Sequence, residues 1–140
     1  MKLTPLHSVD MQNVEIKDGL LGRIQDFIVN ETIPYQYSIL NDEAEGVPKS
    51  NAIVNFRIAS GEQKGEFYGM IFQDSDVAKW IEAASYSLLL KPDPELEKTL
   101  DELIDLIGRA QEPDGYLNTY FSISQPDKKW VNLRDWHELY

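Results

Sequence analysis

Apolar positions recur at helical spacing along most of the chain, and the clearest run is FQDSDVAKWIEAASYSLLL at Phe72–Leu90. Val77, Trp80, Ile81, Ala84 and Leu88 fall at i, i+3, i+4, i+7 and i+11, the stripe of a helix packed on a core. The opposite side carries Ala78, Ala83, Tyr86 and Leu89, so it is not polar either. A helix apolar most of the way round needs cover on two sides. Asp74-Ser75-Asp76 suits its N-terminus, where short oxygens accept from orphan N–H groups and negative charge meets the positive end of the dipole. Pro92 stops it.

A second, one-sided helix follows. Asp93 is a good N-cap, Pro94 sits at the first position, and Glu95 and Glu97 occupy the first turn. Leu96, Leu100, Leu103, Ile104 and Ile107 make one apolar face, with Asp101, Glu102 and Asp105 off it. The pattern runs to about Gln111 and breaks at Glu112-Pro113-Asp114-Gly115. Asp76–Gln111 thus reads as an antiparallel pair, an aromatic and nearly all-apolar helix followed by an acidic one. The asymmetry suits an inner and an outer layer of helices, and it suits a simple hairpin equally.

Elsewhere the pattern is weaker. Val9, Met11, Val14 and Ile16 read as a short extended piece before Asp18-Gly19. A helix is expected from Leu20, with Leu21, Ile24, Phe27 and Ile28 on one side. Pro34 either kinks it or opens a second helix, carried on by Tyr35, Ile39 and Leu40. Asn41–Ser50 is a polar loop. Asn51–Ser60 fits a strand by partial alternation or a helix with Asn51 as N-cap; we prefer the helix because the surroundings are helical. Asn132–Tyr140 reads as the start of a helix with Leu133, Trp136, Leu139 and Tyr140 on its apolar side. Such a helix needs something behind it, so the 140 residues are expected to be part of a longer protein.

Composition narrows the function. Apolar content of 42% and charged content of 26% are those of a globular domain. The net charge is −11, and no cluster of basic residues occurs. Nucleic acid and anionic membranes both require a Lys/Arg footprint, so neither is expected as a partner. Without a long apolar run or a signal-peptide pattern near Met1, the expected location is cytoplasmic. The chain has no cysteine, which removes thiolate ligands and a Cys nucleophile, and only two histidines, His7 and His137.

The candidate chemical groups each have a plain structural reading. Asp74 and Asp76 fit a carboxylate pair for acid/base work or hydroxyl binding, or simple helix capping, which we favour for at least one. Trp80, Tyr86, Tyr116, Tyr120 and Trp136 fit a sugar-binding cleft or plain core. Asp114 and Asn118 fit polar ligand contacts, although turn chemistry explains them better. His137-Glu138 starts like a helical zinc motif, but the motif's fifth position lies beyond Tyr140, so nothing supports a metal there. On the residues alone the reading stops at an acidic helical fragment.

Three blocks carry a resemblance that goes further. GMIFQDSDVAKWIEAASYSL at Gly69–Leu88, KPDPELEKTLDELIDLIGRAQEPDGYLNTYF at Lys91–Phe121 and HELY at His137–Tyr140 resemble the N-terminal part of glycoside hydrolase family 127, the bacterial β-L-arabinofuranosidases. TIPYQYSILNDE at Thr32–Glu43 is similar to the family's early helical region. The resemblance implies an all-α fold, the N-terminal part of an (α/α)6 barrel with hairpins in inner and outer layers, and residues 1–140 as one fragment of a single catalytic domain. It implies a retaining hydrolase that releases terminal β-L-arabinofuranose from arabino-oligosaccharides, with a zinc-bound cysteine nucleophile and a glutamate acid/base. Those groups, and the zinc, are expected downstream of this segment, so no catalytic or metal-binding residue is assigned here. The family's sugar-contacting histidine corresponds to His137. The isolated residues are expected to be inactive and to self-associate through exposed apolar helix faces. The alternative is a free-standing acidic helical module that binds carbohydrate or protein without catalysis.

Overall fold

The computed structural model describes residues 6–17, 19–131, 133–134 and 138. Among these residues every regular element is helical. The main helices are α1 (Gly19–Phe27), α2 (Ile33–Leu40), α3 (Ala52–Ala59), α4 (Asp74–Leu90), α5 (Pro94–Ala110) and α6 (Thr119–Ser124). His137 and Trp136 lie outside the described residues, as does most of the helix expected over Asn132–Tyr140.

Pro34 neither ends nor restarts the first helix. A π turn, Ile28–Thr32, joins α1 to α2, with the Ile33 N–H reaching back to the Ile28 carbonyl. Proline has no N–H to give and its ring crowds the preceding turn, so a locally widened turn lets the rod continue. The N-terminal segment departs from its extended expectation. Asp10 accepts from the Gln12 N–H at 3.1 Å and closes a 3-10 turn over Met11–Asn13.

The Asn51–Ser60 ambiguity resolves as a helix, but Asn51 is not its side-chain cap. Asn51 adopts φ 55° and makes no capping bond; the Ser50 hydroxyl accepts from the Ala52 N–H instead, at 3.2 Å. The Asp42 carboxylate takes the N–H groups of Ser50 and Asn51, which explains how a non-glycine residue holds this left-handed conformation. Ile53 and Phe56 of α3 are then buried, and Asn55 binds the Tyr68 backbone in both directions.

At the centre of the core are α3 and the Val77–Trp80–Ala84 stripe of α4, closed on one side by α5 and on the other by α2. The Trp80 indole N–H donates to the Ile33 carbonyl at 3.0 Å, and its ring meets that of Tyr37 at 5.0 Å. That carbonyl belongs to the turn around Pro34, so one side chain secures both the packing and the distorted backbone.

Asp93 caps α5 as its position requires, accepting from Glu95 and Leu96 at 3.1 Å each. The buried face of α5 differs by one position from the expectation. Leu100, Leu103, Leu106 and Ala110 are buried, whereas Ile104 is 51% exposed. The stripe is centred on Leu103, and Ile104 stands about 100° further round the helix axis.

Candidate functional site

Asp74 and Asp76 do not form a carboxylate pair. Asp76 is exposed beside Lys79, with 3.7 Å between the charged atoms. Asp74 turns inward and accepts from the Thr119 N–H at 2.7 Å and the Thr119 hydroxyl at 2.6 Å. It therefore serves the N-terminus of α6 rather than that of its own helix, where no side chain caps. Burial raises the pKa of the carboxyl above its ordinary value, against the opposing pull of the Thr119 bonds. The stability this group contributes is full below its ordinary pKa and is lost as pH rises through the raised folded one.

Among the described residues, the aromatic side chains are not gathered into one cleft. Trp80 is core, while Tyr86 is exposed on the other side of α4. Tyr120 packs edge-on against Phe67 and Phe121, each at 5.1 Å, and its hydroxyl accepts from Gln125. Asp114 and Asn118 do turn chemistry. Asp114 accepts from the Tyr116 N–H at 3.0 Å, and Asn118 caps α6 by accepting from Phe121 at 3.1 Å. A cavity of about 400 Å³ lies between α2 and α4, walled by Trp80, Ile39 and Leu40, with Gln36, Asp76 and Lys79 as its polar groups.

A buried polar cluster centres on Glu138, beside His137 in sequence. The Tyr116 hydroxyl donates to Glu138 Oε1 at 2.7 Å, the Trp130 N–H donates to the same oxygen, and Asn118 Nδ2 donates to the Glu138 carbonyl at 3.2 Å. The Tyr116 ring meets Trp130 edge-on at 4.8 Å. Its hydroxyl is pushed well above the ordinary phenol value, by burial first and by the bond to Glu138 next. Nearby, hydrogen bonds from Lys129 and then Ser122 hold Glu112 below the usual carboxylate value. Periodicity could not find this cluster, because Tyr116, Asn118, Trp130 and Glu138 share no helix face.

Residues 13–140 match the family described as beta-L-arabinofuranosidase, GH127 catalytic domain. The chain belongs to this family. It is 43% identical over 144 residues to a non-reducing end beta-L-arabinofuranosidase of Bifidobacterium longum subsp. longum, covering 91% of this chain and 22% of that protein. It superposes with a TM-score of 0.88 on the crystal structure of a GH127 beta-L-arabinofuranosidase from Geobacillus stearothermophilus T6, at 60% identity, covering 91% of this chain and 20% of that one. A GH127 beta-arabinofuranosidase at 31% identity superposes with a TM-score of 0.78 over 92% of this chain and 21% of its own. The chain thus spans about a fifth of the length of these relatives. Its helices are the N-terminal part of the (α/α)6 barrel of GH127 enzymes.

The zinc and thiolate chemistry implied by the resemblance does not fit the residues of this segment. The chain has no cysteine, and among the described residues no group of three or more His, Cys, Asp or Glu is placed to hold a metal. Among the same residues no helix is long and apolar enough to cross a membrane.

Proposed function

We propose that this chain is the N-terminal portion of the catalytic domain of a glycoside hydrolase that releases terminal β-L-arabinofuranosyl groups from arabino-oligosaccharides. The observation that carries this reading is the family match across residues 13–140, together with 43% identity to a beta-L-arabinofuranosidase. In this reading the chain supplies scaffold and a sugar contact, His137, while the nucleophile and the acid/base come from the remainder of the domain. The apolar back of α4 supports burial by further helices rather than a self-sufficient binding module.

Displacement at the anomeric carbon needs a nucleophile and a proton donor on opposite sides of the departing bond. Asp74 and Asp76 cannot supply both, since one is bonded to Thr119 and the other faces solvent beside Lys79. The purified 140-residue chain is therefore expected to leave p-nitrophenyl β-L-arabinofuranoside intact, while a full-length protein carrying the segment hydrolyses it. Hydrolysis by the 140-residue chain that Asp74→Asn abolishes would overturn this division of labour. In the full-length protein, His137→Ala is expected to lower kcat/KM by the equivalent of about 1–3 kcal/mol, as for a lost buried hydrogen bond. Unchanged activity in that variant would remove His137 from the site.

A further inference from the structure

Among the described residues, three that are not glycine hold a positive φ: Asp42 at 60°, Asn51 at 55° and Trp130 at 66°. Asp and Asn visit this left-handed region because a short polar side chain can bond to the backbone beside it. Trp has no such compensation, and a bulky residue there is a genuine outlier. The surroundings of Trp130 hold it in that conformation. Its N–H donates to Oε1 of the buried Glu138, which also accepts from the Tyr116 hydroxyl at 2.7 Å. Lys129, the residue before it, is tied to the Glu112 carboxylate, and Val131, the residue after it, donates its N–H to the Lys128 carbonyl at 3.3 Å. The Trp130 ring meets the buried Tyr116 ring edge-on at 4.8 Å, and the Lys129 ammonium lies 5.4 Å from the centre of that Tyr116 ring. These restraints fix the indole without burying it, since Trp130 is 50% exposed. Trp80, by contrast, is 3% exposed and sits inside α4. Packing accounts for Trp80 and leaves the strain at Trp130 without a reason.

We propose that Trp130 is a platform for the leaving part of the sugar chain, the unit to which the departing terminal sugar is attached. This rests on the hydrolase reading given above. Strained conformations persist only where the surrounding structure over-determines them, and they cluster at ligand contacts. An indole offers a broad apolar face with one N–H at its rim, which suits the C–H side of a furanose ring flanked by hydroxyls. Its half-exposure selects between the two sides of the scissile bond. A hydrolase that removes a terminal sugar closes water out around that sugar, while the rest of the oligosaccharide runs outward to solvent. A ring that is fixed yet half exposed fits the outward part. A platform already held in place also loses little further freedom when the sugar docks on it.

Two substrates separate the sides of the bond in the full-length protein: methyl β-L-arabinofuranoside, whose leaving group is methanol, and a disaccharide of two β-L-arabinofuranosyl units. Trp130→Ala is expected to lower kcat/KM about tenfold on the disaccharide, the scale of one lost aromatic contact, and less than about twofold on the methyl glycoside. Trp130→Phe keeps an aromatic face and is expected to fall between wild type and Trp130→Ala on the disaccharide. Trp130→Gly relieves the backbone strain, so in urea unfolding of the 140-residue chain its midpoint is expected at or above that of Trp130→Ala. Its loss on the disaccharide is expected to be as large. Equal losses on both substrates, or full activity on both, overturn the platform. A midpoint for Trp130→Gly below that of Trp130→Ala overturns the strain on which the proposal stands. If Trp130→Ala does not fold, Trp130→Phe carries the same comparison of substrates. A wild-type protein that hydrolyses neither substrate defeats the hydrolase reading instead. Calorimetric titration with the disaccharide then decides, weaker binding by the variant supporting the platform and absent or unchanged binding overturning it.

Discussion

Helices α4 and α5 are each 17 residues long and pack against one another, yet they are finished differently. The outer side of α5 carries Asp101, Glu102 and Asp105 and is complete in water. The outer side of α4 carries Tyr86 and Leu89, 46% and 45% exposed, beside Leu90. Tyr86 and Leu90, together with Ile16, Leu21, Ile24 and Ile28, line an apolar groove of about 320 Å³. Charge on an outward face marks an outer helix, while apolar surface on both faces marks an inner one that awaits a second covering. This is the two-layer arrangement of the barrel, seen from a segment about a fifth of a relative's length.

The comparison can be broken most severely at the covered face of α4. Trp80→Ala removes a buried indole, its bond to Ile33 and its contact with Tyr37. The expected cost is about 3–5 kcal/mol, measured by urea unfolding, a large share of the stability of an ordinary domain. A loss below about 1 kcal/mol would show that α4 is not the keystone of the core. At the start of α5, Asp93→Ala removes the acceptor for two N–H groups and is expected to cost about 1 kcal/mol. An unchanged midpoint would mean that packing alone, rather than the cap, sets where α5 begins.

The smallest change in stability, and the sharpest contrast, comes from the uncovered faces. Leu89→Lys on α4 and Ile104→Lys on α5 should each alter stability by less than about 0.5 kcal/mol, as surface substitutions do. Sedimentation of the 140-residue chain is expected to show self-association that Leu89→Lys reduces and Ile104→Lys leaves alone. Equal effects from both would erase the distinction between the two outward faces.

Most of the helical framework is legible along the chain. Asp93-Pro94 announces the start of α5, the spacing of Val77, Trp80 and Ala84 gives the buried face of α4, and the family blocks lie in these same helices. Less legible are places where two near-equivalent local solutions exist. Asn51 and Ser50 are both capable caps, and the choice falls to Ser50 because Asp42 holds the Asn51 backbone. Ile104 and Leu106 are both one step from a good stripe, and the neighbours of α5 decide which is covered.

Local sequence determines helix type and extent because capping, proline geometry and the 3.6-residue period act within a few residues of one another. Acidity and the missing cysteine likewise bound the chemistry before any folding is considered. Only the tertiary structure decides where polar side chains end up. Asp74 stands at the first turn of α4, yet its partner is Thr119, and Glu138 finds Tyr116 and Asn118 across intervening elements. A hydrogen bond forms with whichever donor the packed chain brings within about 3 Å, and buried polar groups must find such a partner or raise the cost of folding. That requirement depends on the whole fold, so no periodicity in the chain encodes it.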